Sequence, residues 1–203
     1  MLQRSAPRLI LASASASRRA LLAAAGLNFE VRPADINEAA IKSAARAEGI
    51  DPDVAALRLA DGKAAAIAQN APDALVIGAD QILVCDGVWF DKPADVAGAR
   101  AQLQALRGRC HTLATATVCR KGGARVWQGS ATPYLTMREF SESFLDRYLA
   151  IEADAVVSTV GAYRLEGLGI QLFSGIEGDY SSILGLPLLP LLTFLRQTGV
   201  IVG

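Results

Sequence analysis

The run Ala74-Leu75-Val76-Ile77-Gly78-Ala79 is apolar at six consecutive positions and stops at Asp80. A strand that is apolar on both faces must be covered on both. The run therefore predicts a doubly buried strand in an α/β protein, with Asp80 at the strand's carboxyl end. The covering layers are legible as well. The 203 residues include 37 alanines, clustered where apolar residues recur with helical period, which describes helices that can lie close against a sheet. Leu9 to Ala12 is a second short apolar run, followed by a serine-rich stretch and a helical pattern from Arg18 to Ala25 that Gly26 closes.

Further along, Phe29 to Arg32 alternates like a strand that Pro33 stops, and a polar loop with Asp35 and Glu38 is expected next. A helix is predicted over residues 52–69 with Pro52 in its first turn. Asp86-Gly87 reads as a two-residue hairpin turn between residues 82–85 and 88–90. Asp95 caps a helix that Gly108 stops, and Ser141 caps another through Ala150. Two β-rich stretches, His111 to Arg120 and Ala124 to Arg138, are expected to pair across Gly122-Gly123. Six glycines between Gly161 and Gly185 suit loops, and Pro187 opens a last helix ending near Gly199. The fold class read from these elements is α/β, helices packed on a sheet, with no clean domain boundary along the chain.

Composition narrows the function. Twenty Lys and Arg balance twenty Asp and Glu, so there is no field of uncompensated positive charge for a nucleic acid polymer. The apolar stretch Leu184 to Leu195 holds two prolines and about a dozen residues, where a membrane span needs roughly twenty. Neither a membrane nor an exported location is expected. Three cysteines without a CxxC pair and one histidine cannot build a structural zinc site, and the odd thiol count suits a reducing cytoplasm.

Four places could carry chemistry. Ser13-Ala14-Ser15-Ala16-Ser17-Arg18-Arg19 lies between a strand and a helix start, where free backbone N–H groups, hydroxyls and guanidinium forks favour a polyphosphate; a serine cap with two solvated arginines is the plainer reading. Lys63 has Leu59 and Ile67 one turn away on either side, so its ammonium either snorkels or faces a pocket. Asp80 stands where ligands gather at an α/β sheet, or serves as a cap. Lys92 before Pro93 and Glu166 in the glycine-rich segment are ambiguous alone. Cys110 and His111 are strand neighbours that point to opposite faces, and both read as structural.

Seven blocks, in order, resemble one family: LILASASASRRALL near the start, RLADGKA at residues 58–64, GADQILV at 78–84, DKP at 91–93, GRCHTLAT at 108–115, GAYRLEGLGIQLF at 161–173 and IEGDYSSILGLPL at 176–188. The chain is similar across nearly its whole length to the Maf, or septum-formation-inhibitor-like, proteins. The resemblance implies an α/β fold shared with inosine triphosphatases, a mixed twisted sheet with flanking helices in a single domain over residues 1–203 with two lobes around a cleft, and a metal-dependent cleavage between the α and β phosphates of a nucleoside triphosphate, giving a monophosphate and pyrophosphate.

By the same resemblance Asp80 is the proton acceptor, Ser13 and Arg18 bind phosphate, Lys63 and Lys92 are paired catalytic lysines, and Glu38 joins Asp80 in holding Mg²⁺; Arg19, beside Arg18, is a further cation available to the substrate. The residues that track the accepted base are Ser17, Gln81 and Glu166. Gln81 and Glu166 resemble the branch acting on 7-methyl-GTP, where a buried carboxylate at position 166 would accept from guanine and tolerate a cationic ring. Ser17 departs from the tryptophan usual in that branch, and Ala16 from the usual proline. The family's frequent dimers imply a homodimer here as well. The alternatives are a dTTP- or UTP-type pyrophosphatase and a nucleotide-binding regulator of division with little turnover. A nucleotidyltransferase is disfavoured because Asp80-Gln81-Ile82 lacks an Asp-x-Asp pair.

Overall fold

The structure, a computed structural model, describes residues 2–203. In chain order its elements are β1 (Leu9–Leu11), α1 (Ala16–Ala24), β2 (Glu30–Val31), α2 (Glu38–Ala47), α3 (Pro52–Ala68), β3 (Leu75–Cys85) and β4 (Val88–Phe90). There follow α4 (Val96–Leu106), β5 (Cys110–Lys121), β6 (Ala124–Ala131), β7 (Tyr134–Met137), α5 (Glu142–Glu152), β8 (Phe173–Glu177), α6 (Tyr180–Ile183) and α7 (Leu188–Gln197). The strands form one mixed sheet in the order β2-β1-β3-β5-β7-β8, with β4 paired to β3 and β6 to β5. The expected α/β class with a mixed sheet and flanking helices is the one observed. No helix among the described residues is long and apolar enough to cross a membrane.

The chain divides into two compact units, residues 1–81, 115–131 and 179–203 in one and residues 82–114 and 132–178 in the other. In the first, β1 lies between β2 and β3 in parallel pairing, Leu9 opposite Leu75 and Ile10 opposite Glu30. Its core joins Leu9, Leu11, Ile77 and Ala79 to Leu22 of α1 and to Leu191, Phe194 and Leu195 of α7, with Trp127 packed against it. Trp127 stacks on Phe194 with ring centroids 5.4 Å apart, an arrangement that adds to the area both rings bury.

Helices α1 to α6 begin on a side chain that accepts from the first turn, whereas α7, entered through Pro187, has no such cap. Ser15 accepts from the Arg18 N–H, Asn37 from Ala40 and Asp51 from Asp53, satisfying donors that a helix start leaves unpaired. Helix α2, opened by Asn37, occupies part of the span expected to be a polar loop. Only Ala45 in it is buried, and its apolar side is made of alanines with Ile41 the one larger residue, a short stripe that the reading of this span as a loop passed over.

Strand β3 also departs from expectation. Asp80 does not end it: the strand runs on to Cys85, with Asp80 in its interior. Its approach to α3 is set by Gly78, where a Cβ would run into the Ala60 carbonyl and stand 2.7 Å from the Ala64 nitrogen. Only hydrogen fits, and the helix therefore lies close enough for Lys63 to reach the strand.

In the second unit Asp86 and Gly87 take φ of 49° and 77°, the left-handed pair of a type I′ hairpin turn, and β3 and β4 pair across it with Val84 opposite Trp89. The stretch from Ala124 to Arg138 is not one strand. It breaks at Thr132-Pro133 into β6 and β7, since proline has no N–H for the ladder. Both strands pair with β5, β6 opposite residues 115–121 and β7 opposite residues 110–112. Short 3₁₀ turns at residues 153–158, 160–162 and 168–172 fill much of the glycine-rich region.

The sole histidine lies inside this unit. His111 is 1% exposed, its Nε2 is 2.8 Å from the Tyr163 hydroxyl, and its Nδ1 has no partner. Burial lowers its pKa from 6.5 to about 4. Above pH 6.5 the imidazole is neutral whether the chain is folded or not. As pH falls from 6.5 to 4 the unfolded chain takes up a proton that the folded chain refuses, and stability is lost across that window, by about 3 kcal/mol at the full shift. Urea unfolding from pH 7.5 to 4 is expected to show this loss in the native protein and to lack it in His111→Gln. Equal slopes for the two proteins would refute the burial argument.

Candidate functional site

Six of the expected site residues, Ser13, Arg18, Glu38, Lys63, Asp80 and Gln81, come together in the first unit. Lys63, on α3, extends its ammonium between two carboxylates, 2.6 Å from Asp80 Oδ2 and 2.8 Å from Glu38 Oε1. Asp80 and Lys63 are buried, while the Glu38 side chain at the first position of α2 keeps 42% of its surface. Asp80 Oδ1 accepts from the Gln81 backbone N–H at 2.7 Å. Both carboxylate oxygens are thereby oriented, and each retains a lone pair. Lys63 pairs rather than snorkels, and this pairing is what allows a charge inside a buried strand.

Arg18 forms the other half of the cluster. Its Nε donates to the Gly185 carbonyl at 2.8 Å, and its Nη1 donates to the Ala79 carbonyl at 2.9 Å and to Ser13 Oγ at 3.2 Å. Ser13 Oγ also accepts from the Ser15 N–H, which fixes the loop between β1 and α1 around the guanidinium. All three partners of Arg18 are neutral, no carboxylate pairs with it, and Nη2 has no protein partner among the described residues. Burial pulls its pKa below the ordinary value, opposed by the charges of Asp80 and Glu38. A buried guanidinium with an unoccupied Nη2 and no carboxylate hydrogen-bonded to it can receive an anion. Arg18, Lys63, Asp80 and Glu38 together carry no net charge.

The remaining expected residues stand otherwise. Arg19, next along α1, is exposed and shares none of Arg18's hydrogen bonds, because successive helical residues point about 100° apart. Ser17 is half-buried on the same helix. Lys92 and Glu166 belong to the second unit and both are exposed. For Glu166 this corrects the expected buried carboxylate. The buried acid of that region is Glu152, 7% exposed, which accepts from Arg164 Nε and Nη2 at 3.0 and 2.8 Å, while Glu166 stays at the surface, its charge acting on Arg164.

Residue spacing did not single out Thr115, Ser182 or the carbonyls of Ala79 and Gly185. The backbone acceptors leave no mark on side-chain identity. Thr115 and Ser182 could have been flagged only as hydroxyls within apolar surroundings. For a metal, Asp80 and Glu38 offer two hard oxygen donors, and no group of three or more His, Cys, Asp or Glu gathers among the described residues. Two carboxylates fit a Mg²⁺ ion that takes its other ligands from water and phosphate, and do not amount to a closed protein cage.

The model of the Maf-like protein family matches residues 8–198. The chain belongs to the Maf family. The chain is 56% identical to a nucleoside triphosphate pyrophosphatase of Granulibacter bethesdensis over 94% of its own length and 96% of that protein's. A protein of the same name from Paramagnetospirillum magneticum is 52% identical, over 95% of this chain and all of its relative. A 7-methyl-GTP pyrophosphatase of Rhizobium meliloti is 48% identical, over 96% of this chain and 98% of the relative. These similarities span both units of this Maf protein.

Proposed function

We propose that this Maf protein hydrolyses the α–β phosphoanhydride of nucleoside triphosphates, releasing a nucleoside monophosphate and pyrophosphate. The observation that carries the reading is the buried Arg18 guanidinium, open at Nη2 and without a carboxylate partner, in the same unit as the Lys63–Asp80–Glu38 cluster. Arg18 and the Ser13 loop bind phosphate oxygens. Asp80 accepts the proton of the attacking water; the water oxygen bonds to phosphorus, the bridging P–O bond breaks, and pyrophosphate carries away the electron pair. Lys63 holds Asp80 and Glu38 in place and offsets their repulsion. Asp80 and Glu38 would hold Mg²⁺, which when bound neutralises charge on the phosphate oxygens. Names carried by relatives at 48% and 56% identity support this class of reaction.

For the base, 7-methyl-GTP is the leading candidate, supported by the naming of the Rhizobium meliloti relative. Purified protein with Mg²⁺ and a panel of triphosphates that includes 7-methyl-GTP, dTTP and UTP is expected to release monophosphate and pyrophosphate in equal amounts, and to stop when the metal is chelated. Nucleoside diphosphate plus orthophosphate would refute the assigned bond. Nucleotide bound but left whole through a single turnover would favour the division-regulating alternative.

A further inference from the structure

We propose that Gly185 is a positioning residue of the phosphate site: its carbonyl aims the Arg18 guanidinium, and the side chain it lacks is what lets that group lie against the turn with Nη2 open. A guanidinium carries five N–H groups. On Arg18 the one at Nε goes to the Gly185 carbonyl at 2.8 Å, and the two at Nη1 go to the Ala79 carbonyl and Ser13 Oγ at 2.9 and 3.2 Å. The two at Nη2 are left for a ligand, and their place is set by how the other nitrogens are held. Gly185 lies against this group. A Cβ on it would stand 3.0 Å from Nε, 3.1 Å from Nη2 and 3.4 Å from Cζ. A carbon does not settle that close to a nitrogen to which it is not bonded, and Arg18, buried and bound through three N–H groups, can yield only by giving up part of that bonding.

The turn by itself also calls for glycine, and a second glycine separates the two demands. Gly185 closes α6: its N–H donates to the Ser182 carbonyl at 3.0 Å and the Leu186 N–H to the Ser181 carbonyl at 2.9 Å, with φ of 94° at Gly185. Gly26 closes α1 with the same pair of bonds, Gly26 to Ala23 at 2.9 Å and Leu27 to Leu22 at 3.1 Å, with φ of 74°. Both positions need left-handed backbone, which glycine adopts freely. They differ in what a side chain would meet, nothing within 4 Å at Gly26 and the Arg18 guanidinium at Gly185. Backbone strain is common to the two, and the crowding of Arg18 is particular to position 185. Helix α6 is one turn set between its Asp179 cap and this glycine, and it fixes where the Gly185 carbonyl stands.

This inference rests on the reading of Arg18 as a phosphate-binding group, and inorganic tripolyphosphate probes that group without a base. In the full chain with Mg²⁺, Gly185→Ala and Gly26→Ala are expected to lower the urea midpoint by similar amounts. Only Gly185→Ala weakens tripolyphosphate binding in calorimetry, by about tenfold, the scale of one charge-assisted hydrogen bond. Its KM for nucleoside triphosphates rises by more than its kcat falls. Arg18→Lys weakens the same binding, and since lysine has no guanidinium plane to crowd, adding Gly185→Ala to it brings little further loss. Native tripolyphosphate affinity in Gly185→Ala, an equal loss in Gly26→Ala, or a full further loss in the Arg18→Lys background would overturn the proposal. If Arg18→Lys leaves the affinity unchanged, or the native protein does not bind tripolyphosphate, the phosphate reading itself fails and this one with it. Should Gly185→Ala not fold, Gly185→Asn, which takes left-handed φ more readily and carries the same Cβ, is held to the same outcomes.

Discussion

Asp80→Asn is expected to lower kcat by about 10²-fold or more while affinity for nucleotide measured without metal stays level or rises. The amide has the shape of the carboxylate, so the strand and the Gly78 contact are undisturbed. It cannot take a proton from water, and with one oxygen it serves either Lys63 or the Gln81 N–H, where the carboxylate serves both. Loss of a negative charge beside a polyanion does not weaken binding, which sets this variant apart from any that dismantles the phosphate contacts. Steady-state rates together with a direct binding measurement test both halves. A fall in kcat of less than tenfold would remove Asp80 from the role of base.

Lys63→Met is expected to cost about 3–5 kcal/mol of stability, as breaking a buried ion pair commonly does. Methionine fills the space of the lysine stem, and the penalty comes from what remains: Asp80, with a side chain 8% exposed, is left as an uncompensated charge, while Glu38 is open enough to take up water. Adding Asp80→Asn to Lys63→Met removes the stranded charge and is expected to restore most of the stability without restoring turnover. Urea denaturation of the two single variants and the double provides the cycle. A Lys63→Met cost below about 1 kcal/mol would show that the pair does not hold α3 to β3.

What the amino-acid order disclosed follows from how far apart the interacting residues lie. Capped helices, the Asp86-Gly87 turn and the buried strand at residues 75–79 depend on neighbours within a few positions, and these are legible. Asp80 as a strand end is the instructive failure. A carboxylate closing an apolar run looks like a terminus unless a cation is known to cover it, and that cation stands 17 residues earlier on another element. Helix α2 escaped because its apolar side is small, alanines around Ile41 in a ten-residue element, and its polar residues read more readily as a loop. A buried Glu166 is implied by the family resemblance alone and by nothing in its own neighbours, and the structure leaves it at the surface while Glu152 takes the interior. The seven blocks marked the family and most of the cluster, but contacts such as Gln81 with Ser182, 101 residues apart, have no local trace.

The self-cancelling quartet of Arg18, Lys63, Asp80 and Glu38 bears on how a polyanion is captured. Opposite charges this close project almost no field beyond their own neighbourhood, so the quartet does little to steer a ligand in from the medium. Capture by these four groups is contact-ranged, and its rate should be nearly indifferent to ionic strength where a funnel of bare cations would falter as salt rises.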